Sequence, residues 1–318
     1  MPKILLFNDD YPPYDRGGAA RITYLQAKGL RDRGWQVGVF TSRKLGRPSQ
    51  DSVQSEKGIK VYRLFDLYPD SRSYPGSFVD KAMIGTNAPY NPSFIPKINS
   101  VIKDFQPDVL HGHQISRISF GAFARSAHSM PHFLTFHTYQ FECPKGGLFR
   151  KRKRAICQSK PWPCQIYRTI MNYQLQSIDG LIAISHFIED RLIRSGVDHR
   201  KLFHIPNGVV IPDSNQTVLP ASSRDILFVG RLEDNKGVST LIEAFTGLND
   251  PEISLTVIGD GPLREHLQDL ANQDKRIRFE GWKPQSELKK NYKACRFVVV
   301  PSRCHEVLNT VICEAQSW

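Results

Sequence analysis

Short runs of apolar, β-branched residues alternate with longer amphipathic stretches along almost the whole chain, and this rhythm restricts the fold more than any other feature. KILLFN, QVGVFTS, IKVYRLF, PDVLHGH and HFLTFH read as buried strands, and AARITYLQAKGLRDRG, between the first two, reads as a helix stopped by Gly34. Strands that are apolar on both faces and separated by helix-length stretches pair in parallel through crossovers, since a hairpin would leave only a few residues between them. The expected fold is α/β and doubly wound.

The rhythm runs on through GLIAIS and KLFHIPNGV, then breaks at IPDSNQTVLPASS, where Pro, Ser, Asn and Asp accumulate without periodicity. It resumes at DILFVGR and repeats in ISLTVIGDG, RIRFEGW and RFVVVPS. Two Rossmann-like domains are expected: residues 1–210, a linker at 211–221, and an incomplete second domain at 222–318. The longest irregular stretch, Thr138 to about Pro163, follows the strand HFLTFH directly. It is therefore placed at a carboxyl edge, where open α/β sheets bind ligands.

Composition narrows the function. There is no run of eighteen apolar residues, and MPKILLFNDD turns acidic too early for a signal peptide, so the cytoplasm is the expected compartment. Six cysteines without a C-x-x-C argue against a disulfide scaffold or a zinc site, and no metal is expected. A formal charge of +12 asks for an anionic partner: a phosphorylated substrate, a membrane surface or a nucleic acid. The densest basic run, Lys145 to Arg154, reads as a solvated loop or as a contact for anionic lipid, with no amphipathic helix expected around it.

Three places carry candidate chemistry. Gly17 and Gly18 precede the first helix, where small residues admit a ligand to the backbone and free N–H groups favour an anion, although G-x-G-x-x-G is absent. FVGRLEDNKG sets Arg231 and Lys236 around a turn at a strand's carboxyl edge, where two cations can neutralise a diphosphate. With no Asp-x-Asp in the chain, that neutralisation is expected to proceed without a metal ion. PSRCHEVLNTVICEAQSW holds Glu306 before a helix expected from Val307, and Glu314 about two turns inside it. Eight helical positions span up to roughly 12 Å, enough for one elongated ligand to touch both carboxylates.

With R-L-x-x-x-K-G in one turn and E-x7-E near its end, the chain resembles the retaining GT-B glycosyltransferases of family 4. The likeness covers nearly all 318 residues and includes the GG loop, FLTFHTYQFECPKG, LIAISHFIEDRL, HIPNGV, GRLEDNKG and PSRCHEVLNTVICEA in order. The resemblance implies two Rossmann-like domains facing a cleft that takes a nucleotide-diphosphate sugar, with no cofactor. Arg231 and Lys236 would hold the diphosphate, and Glu314 the ribose hydroxyls. Glu306 would lie by the transferred sugar, the backbone of Val307, Leu308 and Asn309 would touch sugar hydroxyls or phosphate, and His137 would line the reaction centre. The chain carries Thr138 where many relatives have Asp, and Val307, Leu308 and Asn309 where relatives often have Gly.

The resemblance leaves the acceptor open among a polysaccharide, a lipid-linked glycan and a small molecule, with no nucleic acid as partner. It also makes the chain's end, four residues past Glu314, read as a C-terminal truncation that would impair turnover. A noncatalytic protein that binds an anion or a membrane surface on the same fold is the alternative. A nicotinamide oxidoreductase is disfavoured, because no glycine fingerprint follows KILLFN and no acid ends QVGVFTS.

Overall fold

In the computed structural model, residues 1–13, 17–43, 51–65, 88–126, 130–150, 153–158, 161–211 and 224–318 are described. They fall into two units: residues Met1–Gly147 with Ser159–Asn207, and residues Leu148–Gln158 with Gly208–Trp318. The stretch IPDSNQTVLPASS, and with it the expected linker, lies outside the described residues apart from Ile211.

The first unit is organised by β1 (Lys3–Asn8), whose two faces are both apolar and both covered. Ile4 and Leu6 pack with Val37, Val39, Ile59 and Val61 beneath Ala27 of helix α1 (Gly18–Arg31). On the opposite face, Phe7 stacks on Phe40 with ring centroids 5.0 Å apart and meets Phe123 edge-on at 5.1 Å. Burying each such side chain contributes about 1.5–3 kcal/mol, so both faces need helices.

The strands that follow are β2 (Gln36–Arg43), β3 (Ser52–Glu56), β4 (Ile59–Phe65), β5 (Val109–Gly112) and β6 (His132–Phe136). Helices α2 (Phe94–Phe105) and α3 (Phe120–Ser126) carry Phe94 and Phe123. Strands β7 (Phe149–Arg150) and β8 (Ala155–Ile156) form a small antiparallel hairpin that belongs to the second unit. Helix α4 (Trp162–Leu175), β9 (Gly180–Ala183), α5 (His186–Arg194) and β10 (Leu202–His204) complete the first unit.

The large sheet has eight strands in the order β10-β9-β6-β5-β1-β2-β4-β3. β1 pairs in parallel with β2 on one side and β5 on the other, so the chain winds outward in both directions from the β1/β5 boundary. Open α/β sheets bind ligands at such a boundary, outside the carboxyl ends of the strands. Only β3 runs antiparallel. Its sequence, SVQSE, is too polar to read as a strand. It forms because Lys57 and Gly58, at φ of 50° and 79°, make a tight hairpin turn onto β4.

The second unit repeats the plan with β11 (Asp225–Val229), α6 (Val238–Thr246), β12 (Ser254–Ile258), α7 (Arg264–Leu270), β13 (Ile277–Gly281), α8 (Gln285–Ala294), β14 (Phe297–Val298) and α9 (Thr310–Gln316). Its four parallel strands run β13-β12-β11-β14, which places the winding boundary between β11 and β14. Ile226, Phe228, Leu255 and Val257 pack beneath Ile242, Phe245 and Leu267 on one face. Leu227 and Ile258 pack against Leu288 and Tyr292, with Val311, Ala315 and Trp318, on the other.

Three expectations change. RFVVVPS is a strand only at Phe297–Val298. The stretch after HFLTFH is anchored, since Tyr139 and Phe141 are buried and Tyr139 N–H donates to Gly146 O at 3.1 Å. An amphipathic helix does follow the basic run: α4 buries Tyr167, Met171 and Leu175 and exposes Trp162, Ile166, Ile170 and Tyr173. That exposed stripe, at helical spacing, interleaves with the residues the helix packs inward. Lys151 and Arg152 of the run lie outside the described residues.

Candidate active site

In the first unit the carboxyl edge at the β1/β5 boundary is built from the ends of β1, β5 and β6 and from helix α1. Asn8 ends β1, and its Nδ2 donates to Thr23 Oγ1 at 2.6 Å, tying the strand to α1. Asp9 is buried and accepts from Ser116 Oγ at 2.7 Å and from the backbone N–H groups of Arg117 and Ile118 at 3.0 and 3.1 Å. Burial pushes its carboxyl above the usual range, against the pull of Arg117. This carboxylate fixes the turn that leaves β5, and His113 stands at the start of that turn.

Side chains two apart on a strand share a face. His111 and His113 therefore line up on β5 and its exit, as Thr135 and His137 do on β6. The two pairs meet: His111 Nε2 lies 2.8 Å from Thr135 Oγ1, and His113 Nδ1 lies 2.9 Å from His137 Nε2. Gln26 of α1 closes the row, 3.0 Å from His111 Nδ1 and 2.6 Å from His113 Nε2. Removal from water disfavours the imidazolium, so His111 is pushed down to about 4, His137 to about 3, and His113 well below the ordinary value. All three rings are neutral near pH 7. His137 was expected from the sequence, while Gln26, His111 and His113 were not. The matching phrases H-G-H and T-F-H on adjacent strands are the signal that would have found two of them.

Gly17 is the N-cap of α1 and Gly18 its first residue. Gly17 has an extended backbone, φ −169°, which any residue adopts, and a Cβ there would meet nothing within 4 Å among the described residues. Gly17 leaves open space at the helix start without being required by the turn.

In the second unit the chain leaves β11 at the boundary strand and turns through Gly230 to Lys236 into α6. Gly237 makes this turn possible. Its φ is +69°, and a Cβ would stand 2.0 Å from Pro301 O. Gly259 and Gly261 support the turn from β12, because Cβ atoms there would meet Gly230 O at 1.8 Å and Leu232 O at 2.5 Å. Only glycine lets three backbone segments approach this closely.

The loop after β14 docks onto the same turn. Arg303 N–H donates to Asn235 O at 2.8 Å, and Lys236 Nζ sits 2.7 Å from Glu306 Oε1. Ser302 Oγ donates to the same oxygen, so the described bonds of Glu306 both go to Oε1. Arg231, half-exposed, pairs with Glu233 at 3.0 Å. The hairpin joining β7 and β8 reaches this loop too, Arg154 Nε lying 3.2 Å from Asp234 Oδ1.

Lys236 and Glu306 are brought together in a contact that the sequence did not announce, and the helix beyond them is shorter than its sequence suggests. It begins at Thr310, so Val307, Leu308 and Asn309 form an irregular approach, and Glu314 lies in the second helical turn rather than two turns in. The Asn309 side chain accepts from Val311 N–H at 3.1 Å and caps the helix. Glu314 Oε2 accepts from Tyr292 O–H at 3.1 Å, which offsets the cost of a carboxylate among apolar neighbours.

One group of potential metal ligands occurs among the described residues, formed by His186 and Glu189 of α5 with His204 of β10. It lies at the far edge of the large sheet, away from the β1/β5 boundary and in the other unit from the cationic turn.

A turn with two cations, a carboxylate returned to it from a distant loop, and a doubly wound frame beneath are what a diphosphate-binding α/β domain offers. Comparisons with known proteins give the family. Residues 16–211 match the family model described as Glycosyltransferase Family 4. The chain belongs to Glycosyltransferase Family 4. Residues 223–318 of this glycosyltransferase match the model for glycosyl transferases group 1. An uncharacterized glycosyltransferase of Methanocaldococcus jannaschii is 26% identical over 327 residues, covering 99% of this chain and 78% of that protein. Among solved structures, a sucrose-phosphate synthase from Thermosynechococcus elongatus superposes with a TM-score of 0.70 at 20% identity, covering 99% of this chain and 79% of that one. Anabaena HepE, solved in complex with UDP, superposes at 0.63 with 16% identity, covering 100% and 78%. These likenesses establish the GT-B fold. No helix among the described residues is long and apolar enough to cross a membrane.

Proposed function

We propose that this glycosyltransferase moves a sugar from a nucleotide-diphosphate donor to an acceptor hydroxyl, with retention of anomeric configuration and without a metal ion. The observation that carries the reading is the contact between Lys236 and Glu306, which joins R-L-x-x-x-K-G to the first glutamate of E-x7-E across seventy residues. The UDP bound to HepE supports a donor of this chemistry.

Lys236 and Arg231 take the diphosphate, each exchanging its present carboxylate partner for phosphate oxygens. Glu314 accepts from the ribose hydroxyls. Glu306, held through Oε1, turns Oε2 to a hydroxyl of the transferred sugar, while the backbone of Val307 to Asn309 and of Gly17 and Gly18 admits the rest of the donor. His137 contacts the transferred sugar. As the anomeric C–O bond breaks, its electron pair leaves with the diphosphate, and fixed positive charge at Lys236 and Arg231 stabilises the extra negative charge on the departing group. The acceptor oxygen bonds to the anomeric carbon on the face just vacated, and a phosphate oxygen takes its proton.

The test is release of nucleotide diphosphate from UDP-, ADP-, GDP- and dTDP-sugars, with the product's anomeric configuration read by proton NMR. A wild-type chain that neither binds nor releases any nucleotide diphosphate sinks the proposal. An inverted product removes retention alone.

A second reading, peripheral contact with an anionic membrane, is favoured by the stripe of Trp162, Ile166, Ile170 and Tyr173 exposed on α4, a few residues after the basic run Lys145 to Arg154. Cosedimentation with phosphatidylglycerol vesicles, compared with phosphatidylcholine, decides it. Wild-type binding that Trp162→Ala does not weaken would remove the helix from the contact.

A further inference from the structure

The amide of Gln26 has a consequence for His137, two side chains away. An amide nitrogen only donates and its oxygen only accepts. Gln26 Nε2 faces His111 Nδ1 at 3.0 Å, so that ring nitrogen bears the lone pair, and the proton of neutral His111 is on Nε2, directed to Thr135 Oγ1 at 2.8 Å. Gln26 Oε1 faces His113 Nε2 at 2.6 Å, so His113 carries its proton there and offers a lone pair at Nδ1. That lone pair is 2.9 Å from His137 Nε2, which must supply the proton between them. His137 is left with a bare Nδ1.

We propose that Gln26 is a positioning residue which, through His113, holds His137 as the Nε2–H tautomer, so that Nδ1 meets the substrate as a hydrogen-bond acceptor. This deepens the glycosyl-transfer reading and rests on it for the role of His137. The relay works only with neutral rings, and burial keeps all three rings neutral. An acceptor at Nδ1 selects for a hydroxyl, which can donate, and against a group that can only accept. Rotating the Gln26 amide by half a turn would reverse every proton in the row, so one measurement decides.

The experiment is a long-range proton–nitrogen correlation spectrum of the full chain with ¹⁵N-labelled histidine at pH 7.5, with His137 assigned by its loss in His137→Gln. The expected result is a protonated Nε2 and an unprotonated Nδ1 at His137 with no substrate present. A protonated Nδ1 overturns the relay and leaves glycosyl transfer untouched. A protonated Nε2 in a chain that turns over no nucleotide sugar upholds the relay and removes the transfer.

The causal part is tested with Gln26→Met, which keeps length and removes both amide bonds, and with His111→Phe, which removes the partner that fixes the amide's rotation. Both are expected to give mixed His137 tautomers. In Gln26→Met, kcat should fall about tenfold with KM little changed and UDP affinity unaltered, because the phosphate turn lies in the other unit. A His137 tautomer that stays pure in both variants would show that Gln26 does not set it.

Discussion

Lys236 Nζ and Glu306 Oε1 are 2.7 Å apart, and through them a turn after β11 and a loop after β14 meet at the boundary from which the second sheet winds. Each side chain is about three-quarters shielded from solvent, yet neither is sealed in. On the proposed reading, an incoming diphosphate would compete for the lysine. Replacing Lys236 with Ala removes a charge-assisted contact of about 1.5–3 kcal/mol and should weaken nucleoside diphosphate binding by roughly 10- to 150-fold, as titration calorimetry would show. Unchanged affinity would place the phosphates elsewhere.

Glu306→Gln should act in the opposite direction on binding. The amide oxygen can still accept from Lys236 and Ser302, but the negative charge beside the phosphates is gone. Affinity for UDP, ADP or GDP should hold or rise, while transfer at saturating donor falls by about 100-fold or more. Equal losses in both quantities would mean that the variant has disturbed the loop rather than the chemistry.

Gly237→Ala tests the backbone of the same turn. At φ +69° an alanine costs about 1–2 kcal/mol, and its Cβ would have to displace Pro301 O from 2.0 Å. The loop carrying Glu306 must then move away from Lys236. Donor binding should be lost and the second unit destabilised by about 2 kcal/mol or more, read from the denaturant midpoint. A variant of native stability that binds donor would show that the loop can yield.

The parallel strands were legible because each is apolar on both faces. KILLFN, QVGVFTS and DILFVGR need no partner to be recognised, and Ile4 and Phe7 report opposite sides of one layer. What escaped was set by contacts remote in sequence. β3 exists through the Lys57-Gly58 turn and pairing with β4, although SVQSE carries little apolar periodicity of its own. The helix holding Glu314 starts late because Asn309 caps it, and a cap competes with the helix propensity of Val307 and Leu308. The residues of the cationic turn were visible as motifs, while Gln26 was not, since a polar residue on an amphipathic helix reads as solvent-facing until the sheet beneath it proves to carry histidines.

Asp9 links the first sheet to its candidate site. Asp9→Ala would leave Ser116 Oγ and the N–H groups of Arg117 and Ile118 without their acceptor in a buried turn, at a cost of about 1–3 kcal/mol for an unsatisfied group. The turn also holds His113, so the imidazole resonances of His113 and His137 should shift together. Shifts confined to one ring would show that the turn is held by other contacts.

The three desolvated imidazoles, His111 and His113 buried and His137 partly so, predict how stability depends on pH. In the unfolded chain a histidine takes up its proton near 6.5, whereas in the fold His111 waits until about 4 and His137 until about 3, with His113 also held low. Between pH 6.5 and 4 the unfolded chain therefore binds more protons, and the fold loses stability as pH falls, by up to about 1.4 kcal/mol per pH unit for each ring. Asp9 has the opposite sign: its raised carboxyl takes a proton in the fold that the unfolded chain releases, so it adds stability as pH falls through its folded value. Exposed carboxylates of the unfolded chain titrate mainly below pH 5, so from 6.5 to 5 the histidines lower the stability and Asp9 opposes them. Urea midpoints should fall steadily across that interval, and His113→Gln should flatten the slope by about a third. A level profile in Asp9→Asn, where the opposing carboxyl is gone, would mean that the rings gain their charge inside the fold, and a row of neutral imidazoles bridged by Gln26 would then be untenable.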